Sequence, residues 1–234
     1  MRVSDNENMK ETIITVQGSH SAWYSAERAT VSAAVHTDGA KREPAFAGAV
    51  EASATVRGLI EASYNKEIGP ITWWSSDSVR VWSERPWNNE GRQLDPVYHS
   101  AIDFTAKFSD FEALARWVEA VASLTSVTVG SIGWDLTEAT RTSATVEVRS
   151  RAVKDAVAKA TVYAQSIGLS TVKAIALADP GMLGDPSSPQ LPSPSMLSAS
   201  ARKFSMDASG APSLALKPEE IVVASIVDAR FIAS

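Results

Sequence analysis

Glu27-Arg-Ala-Thr-Val-Ser-Ala-Ala-Val-His-Thr37 alternates from end to end: Ala29, Val31, Ala33 and Val35 fall on one side, Thr30, Ser32 and His36 on the other. A repeat of two residues is the period of a β-strand, and its split into apolar and polar sides marks a strand with one face buried. Asp38-Gly39 closes the stretch as a turn. The period then changes. Pro44 suits a first helical turn, and Phe46, Val50, Ser53, Val56, Ile60 and Tyr64 recur at spacings of three and four up to Gly69-Pro70. A half-buried strand followed by an amphipathic helix is the unit from which the rest of the chain is read.

Upstream, Thr12-Ile-Ile-Thr-Val-Gln17 is a short β-rich run, with Gly18 expected to break it. Downstream, Val79 to Trp87 and Val97 to Phe108 form a strand pair; Tyr98, Ile102, Phe104 and Phe108 point one way, His99, Asp103 and Lys107 the other. Ser109-Asp-Phe-Glu112 has the capping-box pattern, which predicts a helix carrying Phe111, Leu114, Val118 and Val121 on one face. Ser126 to Leu136 is a further strand, with a bulge expected at Gly130 and Gly133. Residues 137 to 167 give the longest helical pattern, with Val153, Ala156, Ala160, Tyr163 and Ile167 as its stripe and Gly168 as its stop. Thr171 to Ala178 and Glu219 to Ile232 return as strands. Interspersed helices and hairpin-like strand pairs predict an α+β fold: antiparallel-dominated sheet with three main helices.

The 234 residues, 44% hydrophobic and 21% charged, fall in the ordinary globular range, which excludes wholesale disorder and fibrous classes. The expected organisation is a polar tail over residues 1–11 and one domain over 12–234. Five prolines from Pro180 to Pro194 predict a surface loop at about 180–197 within that domain. Its Pro186-Ser-Ser-Pro189 spacing matches a polyproline ligand but is common in any such loop. No apolar run approaches the roughly 18 residues a membrane helix needs. The polar, acidic start from Met1 to Glu11 lacks the basic and apolar regions of a secretory signal, so a cytoplasmic location is expected, or the cell envelope if a signal has been removed. A net charge of −5 argues against a nucleic-acid partner.

Arg151-Ala-Val-Lys-Asp-Ala156, with Lys159-Ala160, Tyr163-Ala164 and Gly168-Leu169, resembles the signature helix of the SIMPL-domain family, named for a signalling molecule that associates with a mouse pelle-like kinase. Val16-Gln17-Gly18 after the first strand and Pro218-Glu-Glu-Ile-Val-Val223 near the end, with Val227 and Phe231, extend the resemblance from about Thr12 to Ile232. The resemblance implies an α+β fold and a tendency to self-assemble. It carries no catalytic residues over, because the family has no agreed ones.

Chemistry is sparse at the level of motifs. With no cysteine, disulfides, zinc–thiolate sites, iron–sulfur clusters and thiol nucleophiles are excluded. His20, His36 and His99 show no helical metal spacing, and His36 and His99 are expected to face solvent from the polar sides of their strands. Gly130-Ser-Ile-Gly133 puts its serine out of place for a nucleophile elbow. No phosphate-cradling glycine motif occurs. The expectation is therefore a protein that is not an enzyme, with no catalytic residue, cofactor or metal site.

One cluster stands out: Trp73, Trp74, Trp82 and Trp87, interleaved with Arg80 and Arg85. Such residues pack a hairpin, build a subunit contact, or stack a sugar or base. The expected function is self-assembly in a structural or scaffolding role, as a ring as readily as a dimer. The alternative is a binding module in which this hairpin holds a small ligand or glycan.

Overall fold

The computed structural model describes residues 11–183 and 214–234. The Pro/Ser-rich segment from residue 184 on, and the N-terminal stretch before Glu11, lie outside the described residues. Among the described residues the fold is α+β with antiparallel sheets and three helices, as the sequence predicts. The chain divides into two compact units, one of residues 25–137 with 214–221, the other of residues 11–24, 138–183 and 222–234. Among the described residues no helix is long and apolar enough to cross a membrane.

In the first unit the alternating stretch forms β2 (Arg28–Gly39); β1 (Thr12–Tyr24) belongs to the other unit. Ala29, Val31, Ala33 and Val35 are all buried, as their period requires. Asp38-Gly39 does not end the strand but continues the ladder, Asp38 opposite His99 and Gly39 opposite Tyr98. β5 (Val97–Phe108) is the central strand, antiparallel to β2. Its other edge is shared in turn by β3 (Ile71–Ser76), opposite Phe104 to Phe108, and β4 (Arg80–Glu84), opposite Val97 to Ala101. The single strand expected over Val79 to Trp87 is thus the second piece of an interrupted edge strand. β6 (Val127–Asp135) closes the far side of β2. Its register slips between Val31 and Ala33, opposite Gly130 and Ser131, where the bulge was expected.

Helix α1 (Arg42–Glu61) covers the sheet with Ser53, Val56 and Ile60 of the predicted stripe, and with Ala45 and Ala49 in place of Phe46 and Val50. Phe46, Val50 and Tyr64 are each more than 40% exposed. Small side chains bring a helix closer to a sheet than Phe46 and Val50 would allow, so in its first half the buried face lies one position earlier. Helix α2 (Phe111–Ala122) starts one residue later than its capping box suggests. The Ser109 hydroxyl is taken by the Gly69 carbonyl (2.8 Å), so Asp110 caps instead, accepting from the Glu112 and Ala113 amides at 2.9 and 3.0 Å. Its buried face is Leu114, Trp117 and Val121, with Trp117 tilted against Phe108.

In the second unit the sheet order is β1-β8-β7, with β7 (Val172–Ala178) antiparallel to β8 (Ile221–Ala233). Helix α3 (Glu138–Ser166) buries Ala144, Val148, Ala152, Ala156, Ala160 and Ala164, one residue in every four. The predicted Tyr163 and Ile167 are instead 55% and 57% exposed. Gly18 explains the preference for alanine. It does not break β1; it lies mid-strand, where an added Cβ would sit 2.7 Å from both the Cβ and the amide nitrogen of Ala156 and closer still to the Ala152 carbonyl. Around this contact Asp155 accepts from the Ser19 amide (2.8 Å) and pairs with Lys159 (2.7 Å), whose ammonium also donates to the Gln17 carbonyl (2.9 Å). At the C-terminus Gly168 takes φ 81°, and the Leu169 and Gly168 amides donate to the Ala164 and Gln165 carbonyls. That is a Schellman cap.

Gly18→Ala is expected to destabilise this unit by about 1–3 kcal/mol, since neither backbone can retreat without losing its ladder; urea unfolding measures it. A pH dependence accompanies the same contact. The Lys159 hydrogen bond first, then the Ser19 amide, holds the Asp155 carboxyl below its ordinary value. A depressed folded-state pKa contributes stability above the unfolded value, near 3.8, that is lost as pH falls through the folded value. The urea midpoint of the parent should therefore fall toward that of Asp155→Asn as pH drops from about 5 to 2. The group is partly exposed, so the difference is small and shrinks with salt.

Candidate functional site

The face of the β3-β5-β2-β6 sheet opposite its buried core carries the chemistry. On β2 the period that buries Val35 sends His36 and Asp38 outward; on β5 it sends out His99 and Asp103; on β4, Arg80 and Trp82. Register puts Asp38, His99 and Trp82 in one row, and His36, Ala101 and Arg80 in the next. Ala101 is small and 6% exposed, so the larger rings on both sides close over it.

The Oδ1 atom of Asp38 receives both imidazoles, His36 Nε2 at 2.8 Å and His99 Nδ1 at 2.6 Å. Each facing nitrogen must carry a hydrogen for the ionised carboxylate to accept from both. The His99 hydrogen bond, reinforced by the charges of His36 and His99, holds the Asp38 carboxyl below its ordinary value against an opposing desolvation. The rings stack: His36 to His99 at 5.7 Å, Trp82 to His99 at 5.3 Å, and Trp82 tilted against His36 at 5.8 Å. Under that cover the His99 side chain is only 13% exposed, against 44% for His36 and 53% for Asp38. Its Nε2 is buried without a hydrogen bond, the Glu84 carboxylate standing 3.5 Å away. His99 therefore does not face solvent as its strand pattern suggested. Asp103, four residues along, pairs with Arg80.

The residues singled out in sequence do not converge. Arg80 and Trp82 join the histidine cluster. Trp74, opposite Ala106, turns the other way and packs against the core. Trp73 is 49% exposed opposite Lys107, eight residues along β5 from His99 and so about 26 Å from Trp82. Arg85 lies exposed just past β4, and Trp87, 67% exposed, bridges to Gln93. A hollow of about 640 Å³ elsewhere is lined by α3 alone, from Ser143 to Lys154, and gathers no comparable group. His36, Asp38 and His99 are the residues among those described whose atoms could together hold a metal ion, all within 4.8 Å of one another.

The model of the SIMPL family, described as a protein of unknown function (DUF541), matches residues 14–231. Among curated proteins no match to the chain is found.

Asp38→Ala removes the acceptor shared by two imidazoles and strands His99 Nδ1 in a mostly buried place; a cost of about 1–2 kcal/mol is expected in urea unfolding. Arg80→Ala breaks an exposed pair and should cost less than about 0.5 kcal/mol.

Proposed function

The chain belongs to the SIMPL family, and we propose that it acts without covalent chemistry, as a self-associating protein whose contact is the edge strand of the β3-β5-β2-β6 sheet. The observation that carries this reading is the interrupted strand β3–β4. It uses one edge to pair with β5 and, among the described residues, has no strand on the other. An unpaired edge offers a row of amides and carbonyls to another strand. This edge is neither blunted by a run of lysines nor short of apolar surface: Trp73, Trp82, Trp87 and Leu94 are each more than 40% exposed between positions 73 and 94. Exposed tryptophans beside arginines are the composition of an interface anchor. A second copy is the simplest occupant, because an edge can meet its own two-fold mate in antiparallel register.

A second reading, a module holding a small ligand, is favoured by the stacking of Trp82 on His99. It uses the sheet's outer face rather than its edge, so the two are compatible.

Light scattering coupled to size exclusion should give a multiple of the 24.9 kDa monomer mass at micromolar concentration. Trp87→Ala should shift the particle toward smaller species with an unchanged circular dichroism spectrum, the cost of losing such an anchor being about 2 kcal/mol. A monomeric parent would sink the reading.

A further inference from the structure

The His36–Asp38–His99 cluster is costly as a purely structural device. One carboxylate oxygen receives two imidazoles, and the nitrogen of His99 that points away from it has no hydrogen bond although it is buried. With Nδ1–H directed at Asp38, a neutral His99 has a bare lone pair at Nε2, facing the Glu84 carboxylate at 3.5 Å. A lone pair facing a carboxylate is a poor arrangement. The opposite tautomer cures it: Nε2–H would donate to Glu84, but Nδ1 would then present its lone pair toward Asp38. Two arrangements satisfy both ends: an imidazolium donating from each nitrogen, or a cation between Nδ1 and Asp38 with Nε2–H donating to Glu84.

We propose that His36 Nε2, Asp38 Oδ1 and His99 Nδ1 bind one divalent transition-metal ion on the outer face of the sheet. Two imidazoles and one carboxylate form a ligand set suited to zinc and its borderline neighbours, leaving room for water at the remaining positions. The donor atoms, 2.6 and 2.8 Å apart across Asp38, need to spread by roughly half an ångström to embrace an ion with bonds near 2.0–2.1 Å. His36 and Asp38 are exposed enough to make that adjustment. For neutral imidazoles, metal uptake moves each ring hydrogen now directed at Asp38 to the far nitrogen of the same ring, freeing the near lone pair for the ion. For His99 that nitrogen is Nε2, and Glu84 becomes its acceptor in the carboxylate–histidine–metal relay that fixes a ligand's tautomer. Trp82, stacked on His99, covers one side of the site. None of this depends on the self-association proposed above.

The test is a calorimetric titration of the untagged full chain with Zn²⁺ in a non-chelating buffer near neutral pH. One equivalent should bind. His36→Ala, at an exposed position that puts the fold at little risk, should weaken binding at least tenfold, and His20→Ala, outside the cluster, should leave it unchanged. Glu84→Gln should weaken it severalfold; an unchanged affinity there would overturn the relay. Cu²⁺ should quench a saturable part of the tryptophan emission, and that part should vanish in Trp82→Phe. The site is overturned if the parent takes up no Zn²⁺ at about 100 µM, or if His36→Ala binds as well as the parent. Repeating the titration on Trp87→Ala separates metal uptake from assembly, since binding there requires no intact interface.

Discussion

The eleven pairs from Ala29–Phe108 to Gly39–Tyr98 join β2 to β5 along all but the first residue of each strand, and each face of that ladder has a separate task. Inward, Val31, Val35, Ile102, Phe104 and Phe108 make the centre of the core on which α1 and α2 pack. Outward, the same register sets Asp38 beside His99. A slip of one residue would exchange the two faces, burying a carboxylate and exposing four apolar side chains. The core therefore fixes the cluster: burying Val35 sends its neighbours His36 and Asp38 to the opposite face. β3 and β4 depend on the ladder in turn, because both pair with the edge of β5 that β2 leaves free.

The other unit rests on an absence of side chain. Where Gly18 meets Ala152 and Ala156, strand and helix backbones approach so closely that even a methyl group collides. Alanine every fourth residue on α3 is the helical half of the same constraint, and the ties from Asp155 and Lys159 to Ser19 and Gln17 fasten its rim. Large apolar residues are thereby displaced: Tyr163 and Ile167 point away, although hydrophobicity alone would choose them for the core. The same logic displaced Phe46 and Val50 on α1 in favour of Ala45 and Ala49.

Those displacements mark where sequence reasoning succeeds and where it stops. Periods and stops are local, so the strand over Ala29–Val35, the bulge at Gly130 and the αL glycine at 168 could be read from the chain, and with them the α+β class. Which stripe of a helix is buried depends on how near its neighbour comes, and hydrophobicity does not report distance. Gly18 illustrates the limit: a glycine after a β-run is a stop by composition, and only the packed helix shows it to be a point of contact. The histidine cluster was half legible. His36 and Asp38 stand two apart on one strand and must share a face. His99 is sixty-three positions beyond His36, and nothing short of the β2–β5 register brings it to Asp38. Trp82 was noticed for its neighbours in sequence, Trp73, Trp74 and Trp87, whereas its partners in space are the two histidines.

Stability does not account for that cluster. An exposed antiparallel face is satisfied by any polar residues, and partly exposed ion pairs contribute about 0–1 kcal/mol. Against that gain stands the buried Nε2 of His99, a polar atom without a hydrogen bond, which costs about 1–3 kcal/mol. Threonine or serine at 36 and 99 would give the sheet better β-propensity or cheaper solvation without any orphaned nitrogen. The balance is at best neutral for folding. Where local preference is spent without a return in stability, the return is sought in what the site does. Two imidazoles directed at one carboxylate oxygen, with an indole above, leave the unmet nitrogen, His99 Nε2, facing a second carboxylate, and the space between the two rings and Asp38 is where an ion would sit. A cation there turns each of the awkward contacts, the doubly used oxygen and the bare nitrogen facing Glu84, into a satisfied one.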